Sequence, residues 1–256
     1  MAFSGITKET VISSSVYKMR VFLFVFVIST QIGILFANQK WPCDRKKAIE
    51  AFKKKNVVNI WPSFESDPYK NQTKQSEAEI QRYLQDHTRV CAIRYANALK
   101  TDYELRDFPD KKSAENTGFI VTHQGKCGAC SNLKDLAVYL EQNLTKVVRA
   151  CGARIFGFLI RKCLYNLGFT SPCVSIWEYN IYNTRKQCFG VCIKAWITGQ
   201  PNNKPDGSLN DCLQCDEDKS GPVFKYFAGR TRRNSGITSA IHRPPDQIYN
   251  MTHCYF

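Results

Sequence analysis

This 256-residue chain shows no internal period and no Gly-, Ser- or Gln-rich tract. Solenoid repeats and low-complexity segments are thereby excluded. Histidine is scarce, with four in all (His87, His123, His242 and His253), so few imidazoles could serve as a general base. Acidic side chains are also few: 22 Asp and Glu stand against 36 Lys and Arg, for a formal net charge of +14. Long apolar runs are absent with one exception, Val21 to Phe36, "VFLFVFVISTQIGILF". That run falls short of the roughly 20 apolar residues a membrane-spanning helix needs.

What precedes and follows the run gives it a meaning. Lys18 and Arg20 stand before it, and small Ala37 then polar Asn38 and Gln39 after it, the layout of a secretory signal. We expect residues 1–37 to be a cleaved signal peptide and 38–256 a single domain. A signal anchor holding the protein on a membrane is the alternative. Residues 1–38 hold three cations and one anion, so the remainder carries +12. In an exported chain the partners for that charge are an anionic surface, a sulfated glycan or an acidic substrate, and not nucleic acid.

All twelve cysteines lie beyond the apolar run. An even number in an exported chain implies a framework of disulfides. Sequons at Asn71, Asn143 and Asn250 suit the same compartment and imply a glycoprotein.

The pattern along the chain is α+β, mostly α-helical with a small β element. A short basic helix is expected over Asp44 to Asn56, and a longer one from Ser76 to about Leu99. In the longer one Ile80, Leu84, Val90, Cys91 and Ile93 supply an apolar stripe. Strands are expected around Tyr103 and over Gly118 to Thr122. From about residue 131 to 197 the helical period dominates: Leu133, Leu136, Ala137, Leu140 and Leu144 share one face, then Phe156 to Leu167 another. A third helix would carry Cys173 to Ile181 and a fourth Cys188 and Cys192. Residues 198–256 read as loop-rich.

Between the second strand and the helical part stands "THQGKCGACSNLKDLAVYL", Thr122 to Leu140. A thiol at the start of a helix feels the positive end of its dipole, which favours the thiolate and makes Cys130 a candidate nucleophile. Gly125 and Gly128 would let the backbone approach a substrate closely. His253 and His123 are the candidate bases. Three other readings use the same residues: Cys130 as half of a structural disulfide, Cys127 and Cys130 as a redox pair, and zinc held with Cys212 and Cys215. An oxidising lumen favours disulfides over zinc, and we expect no cofactor.

The run Gln124-Gly-Lys-Cys-Gly-Ala-Cys130 resembles the active-site segment of papain-like cysteine peptidases over about ten residues. That resemblance implies Gln124 as an oxyanion donor, Cys127 as a structural disulfide partner and Cys130 as the nucleophile. Ser131 stands where that family carries an aromatic residue, and its later Asn-Ser-Trp segment is absent. Over most of the chain after Thr122, "HQGKCGACSNLKDLAVYL" and "PDGSLNDCLQCDEDKSGPVFKYFAGRTRRNSG" resemble an uncharacterised family of secreted, cysteine-rich eukaryotic proteins. That second resemblance implies no activity.

Two functions are therefore expected. In one, the protein is a secreted cysteine-dependent hydrolase or acyltransferase acting on an acyl-type small-molecule or peptide substrate. Cys130 attacks, His253 or His123 is the base, and Gln124 lies in the oxyanion site. In the other, it is a non-catalytic, disulfide-stabilised secreted binding protein. Arg230, Arg232, Arg233 and Asn234, set among Gly229, Ser235 and Gly236, would then hold an anionic ligand.

Overall fold

A computed structural model describes residues 42–256, which form one compact α+β unit. The expected signal segment lies outside the described residues. Six disulfides cross-link the unit: Cys43–Cys254, Cys91–Cys127, Cys130–Cys173, Cys151–Cys163, Cys188–Cys215 and Cys192–Cys212. Such a framework belongs to an oxidising compartment. Among the described residues no helix is long and apolar enough to cross a membrane.

Helix α1, Arg45–Lys53, begins where Asp44 caps it by accepting from the backbone N–H groups of Lys46 and Lys47. Strand β1, Asn56–Val57, follows, and then helix α2, Lys74–Gln85, whose Thr73 and Ser76 form a reciprocal capping box. The long helix expected to run to Leu99 ends at Asp86. Val90, Cys91 and Ile93 belong instead to strand β2, Val90–Tyr95. Strand β3, Asp102–Phe108, short helix α3, Lys111–Asn116, and strand β4, Ile120–Gln124, complete the first half.

The sheet order is β1-β3-β2-β4, with β1 parallel to β3 and the other pairs antiparallel. Central β2 is buried from Val90 to Ile93 without alternation, because both its faces are covered.

Helix α4, Leu133–Glu141, fills the middle of the molecule. Leu133 and every residue from Asp135 to Leu140 are buried, and Asn132 caps it through the Asp135 N–H. The apolar stripe expected to continue through Leu144 stops at Gln142. There Asn143 caps a new helix, α5, Leu144–Gly152. Helix α6, Gly157–Asn166, ends before Gly168, which has φ +98°. The two helices expected after it are a single one, α7, Ser171–Ile197. The turn-rich tail is also more helical than its composition suggests. Helices α8, Asp211–Lys219, and α9, Gly221–Ala228, follow α7, and two disulfides at i, i+4 positions of α7 staple α8 against it.

Candidate functional site

The loop between β4 and α4 carries the sequence motif, and its backbone is held on three sides. Cys127 bridges to Cys91 in β2, Cys130 bridges to Cys173 in α7, and the Ala129 and Cys130 N–H groups donate to the Phe227 and Ala228 carbonyls. The motif's glycine now has a specific purpose. A Cβ on Gly128 would lie 2.6 Å from the Gly229 nitrogen and the Phe227 oxygen, so only glycine lets the loop cross the end of α9. The close approach is between two backbones of the same chain, not toward a substrate.

This geometry overturns the nucleophile. Cys130 is fully buried and its sulfur is committed to Cys173, so it holds no thiol to ionise. The redox-pair reading fails on the same observation, because Cys127 and Cys130 bond to different partners. No cysteine among the described residues is free, so the zinc reading has no thiolate to use. The Gln124 amide nitrogen is taken up within the fold, donating to the His87 carbonyl at 2.5 Å.

The two histidines are fully buried and their tautomers are fixed by carbonyls. His123 Nδ1–H donates to the Gln124 carbonyl at 2.9 Å, leaving Nε2 to accept the Ser131 hydroxyl at 2.8 Å. His253 Nε2–H donates to the Ser235 carbonyl at 2.8 Å, leaving Nδ1 to accept the Tyr255 hydroxyl at 2.9 Å. The Ser131–His123 pair has the handedness of a nucleophile and its base, yet both residues have no solvent contact, so it serves as a lock on the loop.

The Arg/Asn loop is likewise turned inward. Arg230 is completely buried: Nε donates to the Cys130 carbonyl, Nη1 to the Thr122 carbonyl and Ser235 hydroxyl, and Nη2 to the Ser131 carbonyl. Arg232 donates through Nη1 and Nη2 to the Thr238 and Gln142 carbonyls, while its Nε is buried without a hydrogen-bond partner among the described residues. Arg233 pairs with Glu217 at 3.0 Å, and Asn234 donates to the Gln124 and Gly229 carbonyls. The expectation that these four residues hold an external anion is therefore corrected: each already satisfies the protein's own acceptors. Sequence reasoning placed Cys130, Gln124, His123 and His253 in one site and the Arg230 loop in another. The structure does bring the loop, His123, His253 and Arg230 together, as a buried polar core that ties β4, α4 and the C-terminal segment.

Burial, and then the Arg230 charge, push both histidines down, His123 well below 6.5 and His253 to about 3. Asp135, also buried, is pushed up to about 7 despite hydrogen bonds from the Thr170 N–H and hydroxyl. A histidine kept neutral in the fold ionises near 6.5 once unfolded. Its stabilising contribution is full above that pH and is lost, at about 1.4 kcal/mol per unit, as pH falls. Asp135 acts oppositely: its contribution is full below the unfolded value of 3.8 and fades as pH rises through about 7. Two histidines outweigh one aspartate, so the melting temperature should fall steadily from about pH 6.5 to pH 4, at a net of about 1.4 kcal/mol per unit. His253→Gln should flatten that limb, as followed by circular dichroism; an unchanged or rising melting temperature in acid would refute the assignment.

A family of unknown function (DUF8771) matches residues 158–251, the stretch from α6 through the Arg230 loop. No curated protein and no solved structure matches the chain.

The feature that sequence reasoning missed lies on the surface of α5, α6 and α7. From Leu144 to Ile197 these helices hold eight Lys and Arg and a single acidic residue, Glu178. Glu178 is itself buried against Arg161, at 2.6 Å. The signal was legible as a local dearth of Asp and Glu. It went unread because the basic residues are scattered as singles and pairs, about one for every two turns, and form no run.

Proposed function

We propose that the protein is a secreted, non-enzymatic binding protein whose basic helical face holds an anion-bearing surface. The observation that carries this reading is charge segregation. Residues 144–197 contribute +7 of the chain's +14, and the one carboxylate in that stretch is turned inward, while Asp211 of the stapled α8 lies near Lys194. Lys146, Arg149, Arg154, Lys162, Lys186 and Lys194 are exposed, and no salt bridge joins them to an acidic side chain among the described residues. Clustered charge of one sign raises the local concentration of an oppositely charged partner and speeds encounter. Export is supported by the disulfide framework, the N-terminal apolar run and the exposure of all three sequon asparagines, Asn71, Asn143 and Asn250.

Retention on immobilised heparin tests the reading with a sulfated probe. The wild type should elute at clearly higher salt than a variant with Lys146, Arg154, Lys162 and Lys194 all changed to Glu. A control with Lys46, Lys47 and Lys54 changed to Glu should lose little. If the control loses as much retention as the face variant, binding is diffuse and the assignment to this face is wrong.

A further inference from the structure

We infer that this basic face docks on an anionic lipid bilayer, with Phe156, Phe158 and Phe189 entering the headgroup layer. The inference rests on the anion-binding reading above and names its partner. Phe156, Phe158, Phe189 and Trp196 are 59%, 68%, 65% and 74% exposed, whereas the other aromatics among the described residues are mostly packed away. Isolated exposed apolar residues are ordinary, but here two of the rings touch and the other two share one stripe of α7. Phe156 and Phe158 stack at 5.9 Å between ring centres, across the start of α6. Gly157 between them faces Tyr182, whose hydroxyl lies 2.0 Å from where a Cβ would stand, so the pair is seated directly on α7. From Tyr182, the residues Phe189, Ile193 and Trp196 follow at 7, 11 and 14 positions, which is one stripe of a helix. At its far end Trp196 lines a pocket of about 340 Å³ together with Lys146 and Arg149 of α5. At that end an exposed aromatic ring and two cations line one depression.

A sulfated polysaccharide would satisfy the cations and leave the four aromatic side chains in water. A bilayer with acidic headgroups offers both parts at once: a plane of negative charge, and an apolar layer just beneath it. The support is also stiff. Cys151–Cys163 closes the Phe156 segment, and Cys188–Cys215 with Cys192–Cys212 braces α7 along the stripe. Exposed sequon residue Asn143 opens α5, while Phe156 follows that helix's other end, about 14 Å along its axis. A glycan there would stand at the Trp196 edge and leave the phenylalanines clear.

The test is co-flotation of the full secreted protein with phosphatidylcholine vesicles, with and without phosphatidylserine, run beside the heparin column. The wild type should float with phosphatidylserine vesicles and not with phosphatidylcholine alone. The variant F156S/F158S/F189S changes only exposed rings. It should bind those vesicles roughly a hundredfold more weakly while keeping its heparin retention. The single Phe158→Ser should already weaken vesicle binding by roughly fivefold. If the wild type is held by heparin but ignores phosphatidylserine vesicles, the bilayer inference falls and the anion-binding reading stands. The same holds if the triple variant floats like the wild type, since adsorption would then need charge alone. If neither heparin nor vesicles retain the wild type, both fall.

Discussion

Replacing Arg230 by methionine should abolish secretion of folded protein. The substitution keeps the bulk of the side chain and removes donors that reach four separate acceptors: the carbonyls of Thr122, Cys130 and Ser131, and the Ser235 hydroxyl. Each acceptor left dry and unpaired costs about 1–3 kcal/mol, and together they rival the whole stability of an ordinary domain. Exchange of a buried ion pair for apolar residues is often harmless, because both charges leave together. Here three of the four partners are main-chain oxygens that no side-chain substitution can remove. Lysine should not rescue the loss, since one ammonium cannot span the positions that Nε, Nη1 and Nη2 now occupy. Secreted yield and a urea unfolding midpoint would decide the matter. A wild-type midpoint for Arg230→Met would mean that the buried guanidinium contributes nothing.

The second large effect concerns Cys130. In the native protein it should resist iodoacetamide completely, and Cys130→Ser should misfold or be retained by the cell. The bond to Cys173 closes a loop with a sequence separation of 43, for which the chain-entropy relation gives about 4 kcal/mol. Both sulfurs are fully buried, so the variant would also leave an unpaired Cys173 thiol in the core. Alkylation of Cys130 in freshly secreted protein, read by mass spectrometry, would restore the thiol-nucleophile reading and remove the bridge from this fold.

Local signals in the sequence were legible wherever local chemistry decides the backbone. Asp44 before an amphipathic run starts α1, Gly168 lies just past the end of α6, and the β-branched stretch after Gly118 is a strand. Failures arose where a periodic pattern had two solutions. Val90, Cys91 and Ile93 continue a helical stripe from Ile80 on paper, but Asp86 accepts from the Thr88 and Arg89 N–H groups and breaks the helix before them. The candidate site failed for a different reason. Glycines, a helix start, a cysteine and two histidines are what a nucleophilic site requires, and a tightly crossed loop requires them too. Only the partner of Cys130, 43 positions away, separates the two, and sequence spacing does not encode a disulfide's partner. The family match over residues 158–251 leaves the motif itself uncovered.

The Cys43–Cys254 bridge, with a sequence separation of 211 and Cα atoms 5.8 Å apart, has a mechanical consequence. Chain arriving before Cys43 and chain leaving after Cys254 meet at almost one point. A pull applied between Cys43 and Cys254 is carried across a single sulfur–sulfur bond, and the chain that the bridge closes, with the sheet, α4 and the stapled α7–α8 pair, lies outside that path. For a load applied across that bridge, the folded body hangs beside the line of tension like a closed ring on a cord.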